Sequence, residues 1–238
     1  MIHKVSTVRK NTKHADLIVR TVRSKRTPHA HLLLQDAPLT FREFMTGEVP
    51  LAVVFREVYE FLRGRKDAVL FGAHAVNAYT STSRMTEDVD VLSTRAALLA
   101  EEIRARLHEQ LHVAVRVREM KGGQGYRVYQ VCKPKNRHLV DVRQVSAFPQ
   151  STVDHGVRVV EPVELIAMKV MSYASRAAQP KGDTDRADIR RLLLAFPKLK
   201  DARGEVSARL KRGGADSRTM ALWNEFATAP IERDSDEY

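Results

Sequence analysis

Residues 72–90 read GAHAVNAYTSTSRMTEDVD, and they follow the short apolar run DAVLF at 67–71. The apolar run predicts a buried strand that passes directly into Gly72, and residues 74–79 predict one or two helical turns. A glycine at a strand-to-helix turn lets backbone N–H groups approach an anion closely. The turn at Gly72 is therefore a candidate phosphate contact.

The second half of this stretch carries two acids on a predicted strand. Residues 88–92 alternate polar and apolar side chains, as a half-buried strand does. Side chains i and i+2 of a strand point to the same side, so Asp88 and Asp90 lie next to each other while Val89 enters the core. Two adjacent carboxylates repel each other and gain stability by sharing a divalent cation, and oxygen ligands of this kind suit Mg²⁺.

A third acid, Asp141, lies on a strand predicted at 138–143. If this strand neighbours the one that carries Asp88 and Asp90, three carboxylates converge, which is enough for a metal-assisted phosphoryl displacement. Arg84 would add a charge-assisted contact to the same anion. Each has an alternative: an Asp-x-Asp pair occurs often on an exposed strand face, and a lone acid such as Asp141 on an edge strand is usually solvated.

The pattern on either side of these acids completes a small mixed sheet. Pro50 and the apolar spacing of 51–62 predict a helix ahead of the first strand. Residues 96–111 are rich in helix formers. The alternating runs 113–118 and 126–131, joined by a glycine-rich loop, predict a β-hairpin.

From Pro162 onward the apolar period changes to 3.6, so the region from about 155 to 230 is predicted to be all helical. Further helices are expected at about 183–195, 201–212 and 216–227. The fold class is therefore α+β, with a small mixed sheet flanked by helices and followed by a C-terminal helical bundle. The predicted parts are a basic N-terminal arm plus helix at 1–65, an α/β core at 66–150 and a C-terminal helical domain at 151–238.

The chain has 40 Lys and Arg against 29 Asp and Glu, a net charge of +11. Residues 1–30 hold eight of these bases and a single acid, Asp16, so they carry +7 and leave +4 for the other 208 residues. A cationic arm on a nearly balanced body indicates a polyanionic partner such as nucleic acid. The alternative is a solvated terminal segment that keeps the protein soluble.

Length and composition exclude several classes of protein. A chain of 238 residues is too long for a disulfide-stapled mini-protein. No apolar run approaches the ~18 residues that a membrane span needs, and the polar, basic start lacks a signal core. The single cysteine, Cys132, cannot form an internal disulfide, which favours a reducing compartment. We therefore expect a cytoplasmic protein with no membrane partner.

The segment Arg84-x-Thr86-x-Asp88-x-Asp90, placed behind a glycine turn, resembles the nucleotidyltransferase superfamily with the DNA polymerase β-type core. In that superfamily a Gly-Gly or Gly-Ser turn precedes an Asp-x-Asp strand. Within it, the segment is similar to the abortive-infection toxin group, which is AbiEii-like and includes the MenT toxins. One departure is Ala73, which replaces the usual second Gly or Ser and so removes a hydroxyl contact to phosphate.

The helical half carries the same resemblance. The stretch LIAMK at 165–169 resembles the family's lysine-bearing helix, and Arg176, Asp185 and Asp188 resemble the segment that follows it. Arg176 comes about two turns after Lys169, so both can face a triphosphate while the two acids hold them in position. Taken alone, such charges are surface ion pairs that contribute little.

The resemblance implies transfer of a nucleoside monophosphate from a nucleoside triphosphate (NTP) to an acceptor hydroxyl. Mg²⁺ is the implied cofactor, with Mn²⁺ as a second candidate. The implied catalytic residues are Asp88, Asp90, Asp141 and Lys169, of which the three aspartates are also metal ligands. The implied nucleotide-binding residues are Gly72, Ala73, His74, Arg84, Thr86, Lys169, Arg176 and Asp188. For His74 the alternative is a histidine packed at the start of a helix.

Some members of the family transfer nucleotides onto tRNA, and a toxin–antitoxin pair is their usual setting. Together with the basic arm, this resemblance favours RNA or tRNA as the acceptor and an antitoxin protein as a second partner. Two alternatives stay open. One is transfer to an aminoglycoside-like small molecule or to a protein, and the other is a non-catalytic module that binds nucleic acid.

Overall fold

The computed structural model describes residues 49–232. The helices among them are α1 (Leu51–Leu62), α2 (Gly72–Tyr79), α3 (Ala96–Leu111), α4 (Pro162–Arg176), α5 (Pro180–Ala195), α6 (Glu205–Arg212) and α7 (Ser217–Thr228). The strands are β1 (Val69–Phe71), β2 (Val89–Ser93), β3 (Val115–Glu119), β4 (Gly125–Gln130), β5 (Arg137–Gln144), β6 (Ser151–Asp154) and β7 (Val157–Val160). The basic segment at 1–30 and the acidic end at 234–237 lie outside the described residues.

These seven strands form one mixed sheet with the order β3-β4-β5-β2-β1-β7-β6. Strand β2 runs parallel to β5 and β1 runs parallel to β7, whereas the other neighbours are antiparallel. The predicted hairpin is β3–β4, and the strand predicted at 138–143 is β5. The predicted α+β class, a mixed sheet flanked by helices, is confirmed.

Residues 151–160 differ from the prediction. The region expected to be all helical from about 155 begins with a hairpin instead, formed by β6 and β7. His155 and Gly156 adopt φ values of 48° and 83°, and a two-residue hairpin turn of type I′ requires such positive values at both central positions. The sheet thus continues past residue 150. The division into parts at 1–65, 66–150 and 151–238 stays a prediction.

Helix α3 packs against strands β3, β4 and β5 and closes one face of this end of the sheet. Leu99, Ile103 and Leu107 of α3 are fully buried, and so are Val128 and Val140 of the strands. Successive side chains of a strand point to opposite faces, so the residues next to each valine along its strand project from the other face. The predicted acids lie on that other face.

Helices α4 and α5 form a second layer and contact each other extensively. The short helix α2 connects this layer to the sheet, since it contacts β1 and β2 on one side and α4 and α5 on the other. Helix α2 begins at Gly72, directly after β1. The turn that the sequence singles out therefore lies where the sheet meets the helical layer.

Leu70 tests whether the β6–β7 hairpin belongs to the core. It is 1% exposed on β1 and lies opposite Val159 of β7. Leu70→Ala should lower the free energy of unfolding by about 2–5 kcal/mol, because it removes buried atoms and leaves a cavity. The matched control is Leu98→Ala, since Leu98 is 51% exposed on α3 and alanine favours a helix. Urea denaturation followed by circular dichroism measures both, and equal losses would contradict this packing.

Candidate active site

The parallel pairing of β2 with β5 brings the predicted acids together. Asp90 lies directly opposite Asp141 in the register, and Asp88 directly precedes β2, two residues before Asp90. Val89 between these two acids is fully buried, as the alternation predicts. The two strands are neighbours, so the condition for a three-carboxylate cluster is met.

A histidine that the sequence analysis did not select bridges two of these acids. His138 Nε2 lies 3.0 Å from Asp141 Oδ1, and His138 Nδ1 lies 3.2 Å from Asp88 Oδ2. The ring also lies against that of Tyr129, with 5.3 Å between the centroids. Imidazole nitrogens in these positions connect Asp88, directly before β2, to Asp141 on β5.

A bulge explains why simple alternation misses this histidine. His138 is three residues before Asp141, and an odd separation on a regular strand places two side chains on opposite faces. The pairing of β5 with β4 shifts here, because Val128 lies opposite Val140 but Tyr129 lies opposite His138. The extra residue on β5 is characteristic of a β-bulge, and it returns the histidine to the acidic face.

Crowding changes the protonation of the cluster. Burial, followed by the charges of Asp88 and Asp141, raises the pKa of Asp90 to about 7. Burial disfavours the charged form of His138, but hydrogen bonds to Asp141 and Asp88 outweigh it and raise the His138 pKa to about 9. Burial also opposes ionisation of Asp88, yet the hydrogen bond from His138 keeps the Asp88 pKa below its ordinary value. An imidazolium thus neutralises part of the acidic charge.

Two arginines of neighbouring strands contribute further positive charge. Arg127 on β4 lies opposite Asp141 and donates from Nε to Oδ1 at 2.9 Å. Arg143 on β5 acts on the buried carboxyl of Asp90 and opposes the rise in its pKa. The guanidinium carbon of Arg143 lies 5.6 Å from the ring centroid of Phe71. The acids are therefore bordered by cations on the β4–β5 side.

Gly72 is in very close contact with one acid. It adopts φ 68° at the start of α2, and a Cβ built on it would lie 1.9 Å from Asp90 Oδ2. No side chain tolerates that distance, so both the backbone conformation and the close approach require glycine. The first turn of α2 consequently lies beside the carboxylates, where the sequence predicts an anion contact.

On the helical side, a chain of ion pairs runs from Arg84 to Arg176. Its successive members are Arg84, Asp188, Lys169, Asp185 and Arg176. Arg84 binds Asp188 with two nitrogens, at 2.8 and 3.0 Å. Lys169 Nζ lies 2.7 Å from Asp188 and 3.2 Å from Asp185. Arg176 completes the chain with a 2.7 Å contact to Asp185. The two acids are buried and hold the three cations in position, as the sequence predicts for Lys169 and Arg176.

The other predicted nucleotide contacts lie in different surroundings. Ala73 is buried directly after Gly72 at the turn. The Thr86 hydroxyl donates to Asp88 Oδ1 at 3.3 Å, so it contacts the acidic cluster. His74 is 7% exposed and hydrogen-bonds the Tyr59 hydroxyl through Nδ1, and its role as a nucleotide contact stays a prediction. Its burial lowers its pKa to about 4, which keeps the ring neutral.

A cleft of about 1080 Å³ separates the acidic cluster from the chain of ion pairs. Its sheet side includes Gly72, Asp88 and Asp90, and its helical side includes Lys169 and Arg176. The cleft is therefore acidic on one wall and basic on the other. A polyanionic ligand bound to a cation would match both walls.

Comparison with solved structures defines the fold. No family model matches the chain, and no curated protein matches it either. The structure resembles the Megavirus polyadenylate synthase with a TM-score of 0.51 and 15% identity, over 83% of this chain and 40% of the viral one. The predicted nucleotidyltransferase fold is confirmed. The chain thus spans less than half the length of the viral protein.

Two other structures are similar at lower scores. JHP933 from Helicobacter pylori has 15% identity and a TM-score of 0.49, over 80% of this chain and 92% of that one. An antigenic nucleotidyltransferase-like protein from Paracoccidioides brasiliensis has 16% identity and a TM-score of 0.41, over 83% and 97%. The predicted relation to the AbiEii-like toxins stays a prediction.

No helix within residues 49–232 has both the length and the apolar character of a membrane span.

A nucleotidyltransferase fold implies a divalent cation, and the donors present fit one. Asp88, His138 and Asp141 each offer a ligand atom, and these atoms lie within 4.8 Å of one another. Carboxylate oxygens suit Mg²⁺ and Mn²⁺, whereas an imidazole nitrogen suits the later transition metals. The structure groups two of the three predicted ligands, Asp88 and Asp141, with His138, whose ring must give up one of its two protons before a nitrogen can bind a metal. Asp90 as a metal ligand stays a prediction.

Some of the cleft residues that were not predicted could have been found from the sequence pattern. Arg143 is two residues after Asp141, so alternation along β5 places both on one face. Arg127 could be found only from the register of β4 with β5. Lys181 at the start of α5, which belongs to the segment that resembles the family, also lines the cleft, and its charge helps to lower the Asp88 pKa.

The close approach of Gly72 to Asp90 predicts a loss of metal binding in Gly72→Ala. The new Cβ would displace the Asp90 carboxylate, whereas Gly64→Ala, at φ 75° with no atom within 4 Å, adds backbone strain alone. Both variants should lose about 1–2 kcal/mol of stability from a left-handed alanine. Only Gly72→Ala should also lose Mn²⁺ binding, measured by electron paramagnetic resonance. Equal Mn²⁺ affinities in the two variants would refute the role of this contact.

Asp188 is predicted to be essential for stability. Its side chain is fully buried between Arg84 and Lys169, so Asp188→Asn leaves two cations without their shared partner. We expect a loss of about 3–5 kcal/mol, the usual cost of breaking a buried ion pair. Asp183→Asn makes the same change at an exposed site in the first turn of α5 and should cost less than about 1 kcal/mol, from the helix dipole alone. Thermal and urea denaturation measure the stability of both variants. An Asp188→Asn protein as stable as the wild type would contradict the structural role of Asp188.

Proposed function

We propose that this protein is a metal-dependent nucleotidyltransferase that moves a nucleoside monophosphate from an NTP to an acceptor hydroxyl on RNA, with tRNA as the favoured class. The observation that carries the proposal is the cleft between two charged walls. Asp88, Asp90 and Asp141 lie on the sheet wall, and the chain of ion pairs lies on the helical wall. Such an arrangement suits a cation on one side of a triphosphate and basic side chains on the other.

The acids of the sheet wall would hold Mg²⁺, or Mn²⁺ in its place. When bound, the metal neutralises charge on the phosphates and polarises the attacking and leaving oxygens. Asp90 is held against Gly72, and Asp141 is held by Arg127 and His138. These contacts place the carboxylate oxygens before any ligand arrives, which is the positioning that phosphoryl transfer requires.

The helical wall would bind the triphosphate. Arg84, Lys169 and Arg176 are paired with Asp185 and Asp188, so three positive charges face two negative ones. The network keeps a net charge of +1 beside the cleft. The backbone N–H groups at the start of α2 supply further donors for the same phosphates.

In the reaction, the acceptor oxygen attacks the α-phosphorus and the bond to the β-phosphate oxygen breaks. Pyrophosphate leaves with the electron pair of that bond. The acceptor proton passes to Asp141 or to solvent, and Lys169 offsets the charge that develops on the leaving phosphates. Few protein groups are needed, because positioning and electrostatic stabilisation account for most of this catalysis.

RNA as the acceptor, and an antitoxin as a partner, rest on the resemblance to the toxin group and on the basic segment at 1–30. The Megavirus protein of similar fold is a polyadenylate synthase, whose product is a polynucleotide. A cationic aminoglycoside-like acceptor would instead require an acidic approach to the cleft. A toxin role predicts that expression of the chain arrests growth and that a co-expressed antitoxin relieves the arrest.

The test is incubation of the full chain with each α-labelled NTP, Mg²⁺ and one of three acceptors, namely cellular RNA, cellular protein or an aminoglycoside. We expect label on RNA. The Asp88→Asn, Asp90→Asn double variant should transfer none, because it removes two of the carboxylates that hold the metal. Asp183→Asn serves as the control with full activity, since this side chain is exposed.

Each outcome of this experiment has a clear meaning. Label on the aminoglycoside or on protein would keep the enzyme class but overturn the RNA acceptor. Label on none of the three acceptors, with all four nucleotides, would overturn the transferase. Retained transfer in the double variant would remove the mechanism.

A further inference from the structure

Positive charge is concentrated in one part of the sheet. Residues 115–144, which contain β3, β4 and β5, hold eight Lys and Arg against two acids, Glu119 and Asp141, and so carry +6. Residues 1–30 carry +7 of the chain's +11, so the remaining residues sum to −2. Of the +8 that residues 49–232 carry, +6 therefore lies in this segment, on the three strands and the loops between them, which continue from the acidic cluster toward the sheet edge.

The bases of these strands share a row with the acids. In the register, Asp90 lies opposite Asp141, Asp141 opposite Arg127, and Arg127 opposite Arg118. Residues that lie directly opposite each other point to the same face, and adjacent strands are about 4.8 Å apart. The row therefore runs about 14 Å from the centre of the acidic cluster to the edge strand β3.

A second row on the same face adds an aromatic ring. Arg116 lies opposite Tyr129, which lies opposite His138. Tyr129 is half-buried and its ring contacts that of His138. Bases of single-stranded nucleic acid stack on side chains of this kind.

Within residues 49–232, one acid, Asp141, pairs with an arginine of this face, and that arginine is Arg127. Helix α3 covers the opposite face of β3–β5. Glu119 lies one position after Arg118 on β3, so its side chain points away from the row. Arg127 pairs with Asp141 yet keeps a side-chain exposure of 43%. Arg118 and Arg127 lie directly opposite each other, and like charges in this position destabilise a sheet.

We infer that the face formed by Arg116, Arg118, Arg127 and Tyr129 binds the 3′ end of a single-stranded RNA and leads its terminal hydroxyl to Asp141. This inference rests on the proposed function, since it names the acceptor track of the same site. Arginines bind the phosphates along the row, and Tyr129 stacks on a base. The track leaves the cleft on the side away from the helical wall, so acceptor and NTP approach from different directions.

The test compares two double variants of the full chain. Arg116→Gln, Arg118→Gln removes two charges from the proposed track. Arg186→Gln, Arg190→Gln is the matched control, because both arginines are exposed on α5 and the same two charges are lost. Binding of a 5′-fluorescein single-stranded RNA is followed by anisotropy over a salt series, with no nucleotide present. The segment at 1–30 is identical in all three proteins and contributes equally.

We expect the track variant to bind RNA about tenfold more weakly. The slope of log affinity against log salt concentration should become shallower by about 1.4, which is about 0.7 for each lost phosphate contact. The control variant should match the wild type. Equal affinities and equal salt slopes for the two double variants would overturn the inference. A photoreactive 3′-terminal base should in addition crosslink to the β4 peptide that contains Tyr129, and crosslinking confined to other peptides would also overturn it.

Failure of this inference is distinguishable from failure of the proposed function. If the wild type transfers label to RNA while the track variant binds RNA as tightly as the control, the track is wrong and the transferase stands. If the track variant loses RNA affinity while no protein transfers label, the RNA site stands and the transferase is wrong.

Discussion

The register that places Asp90 opposite Asp141 on parallel strands is the constraint on which the site depends. Like charges in direct opposition destabilise a sheet, and burial adds a desolvation cost. Neighbouring cations reduce both costs, because His138 bridges two acids and Arg127 donates to Asp141. Asp90 avoids the rest of the cost by taking a pKa near 7. An acidic cluster supported in this way is prepared for a divalent cation.

The same cluster explains the backbone around it. The Asp90 carboxylate occupies the space where a side chain on Gly72 would lie, so the first turn of α2 can lie directly on β2. Helix α2 then contacts both the sheet and the helices α4 and α5. Arg84, which follows α2 along the chain, reaches across to Asp188 of α5. The acidic wall and the basic wall of the cleft are thus connected by one short segment of chain.

Periodicity accounts for what could be predicted here and for what could not. Alternation identifies the strand of Asp88 and Asp90 because one face of it is buried, and the same rule applies to Asp141. It fails at His138, since a bulge in β5 changes the face, and a bulge depends on the partner strand. It also missed the β6–β7 hairpin, whose His155-Gly156 turn is a short local signal before a long helical pattern.

By itself the sequence determined the local elements, the Asp88 and Asp90 pair and the glycine at the turn, because strand alternation and helix period are properties of a few consecutive residues. The tertiary structure decided which acids meet, which histidine joins them, and which acids hold Lys169 and Arg176. These contacts join residues that are far apart in the chain, such as Arg84 and Asp188. Only strand order, register and helix packing determine their distances.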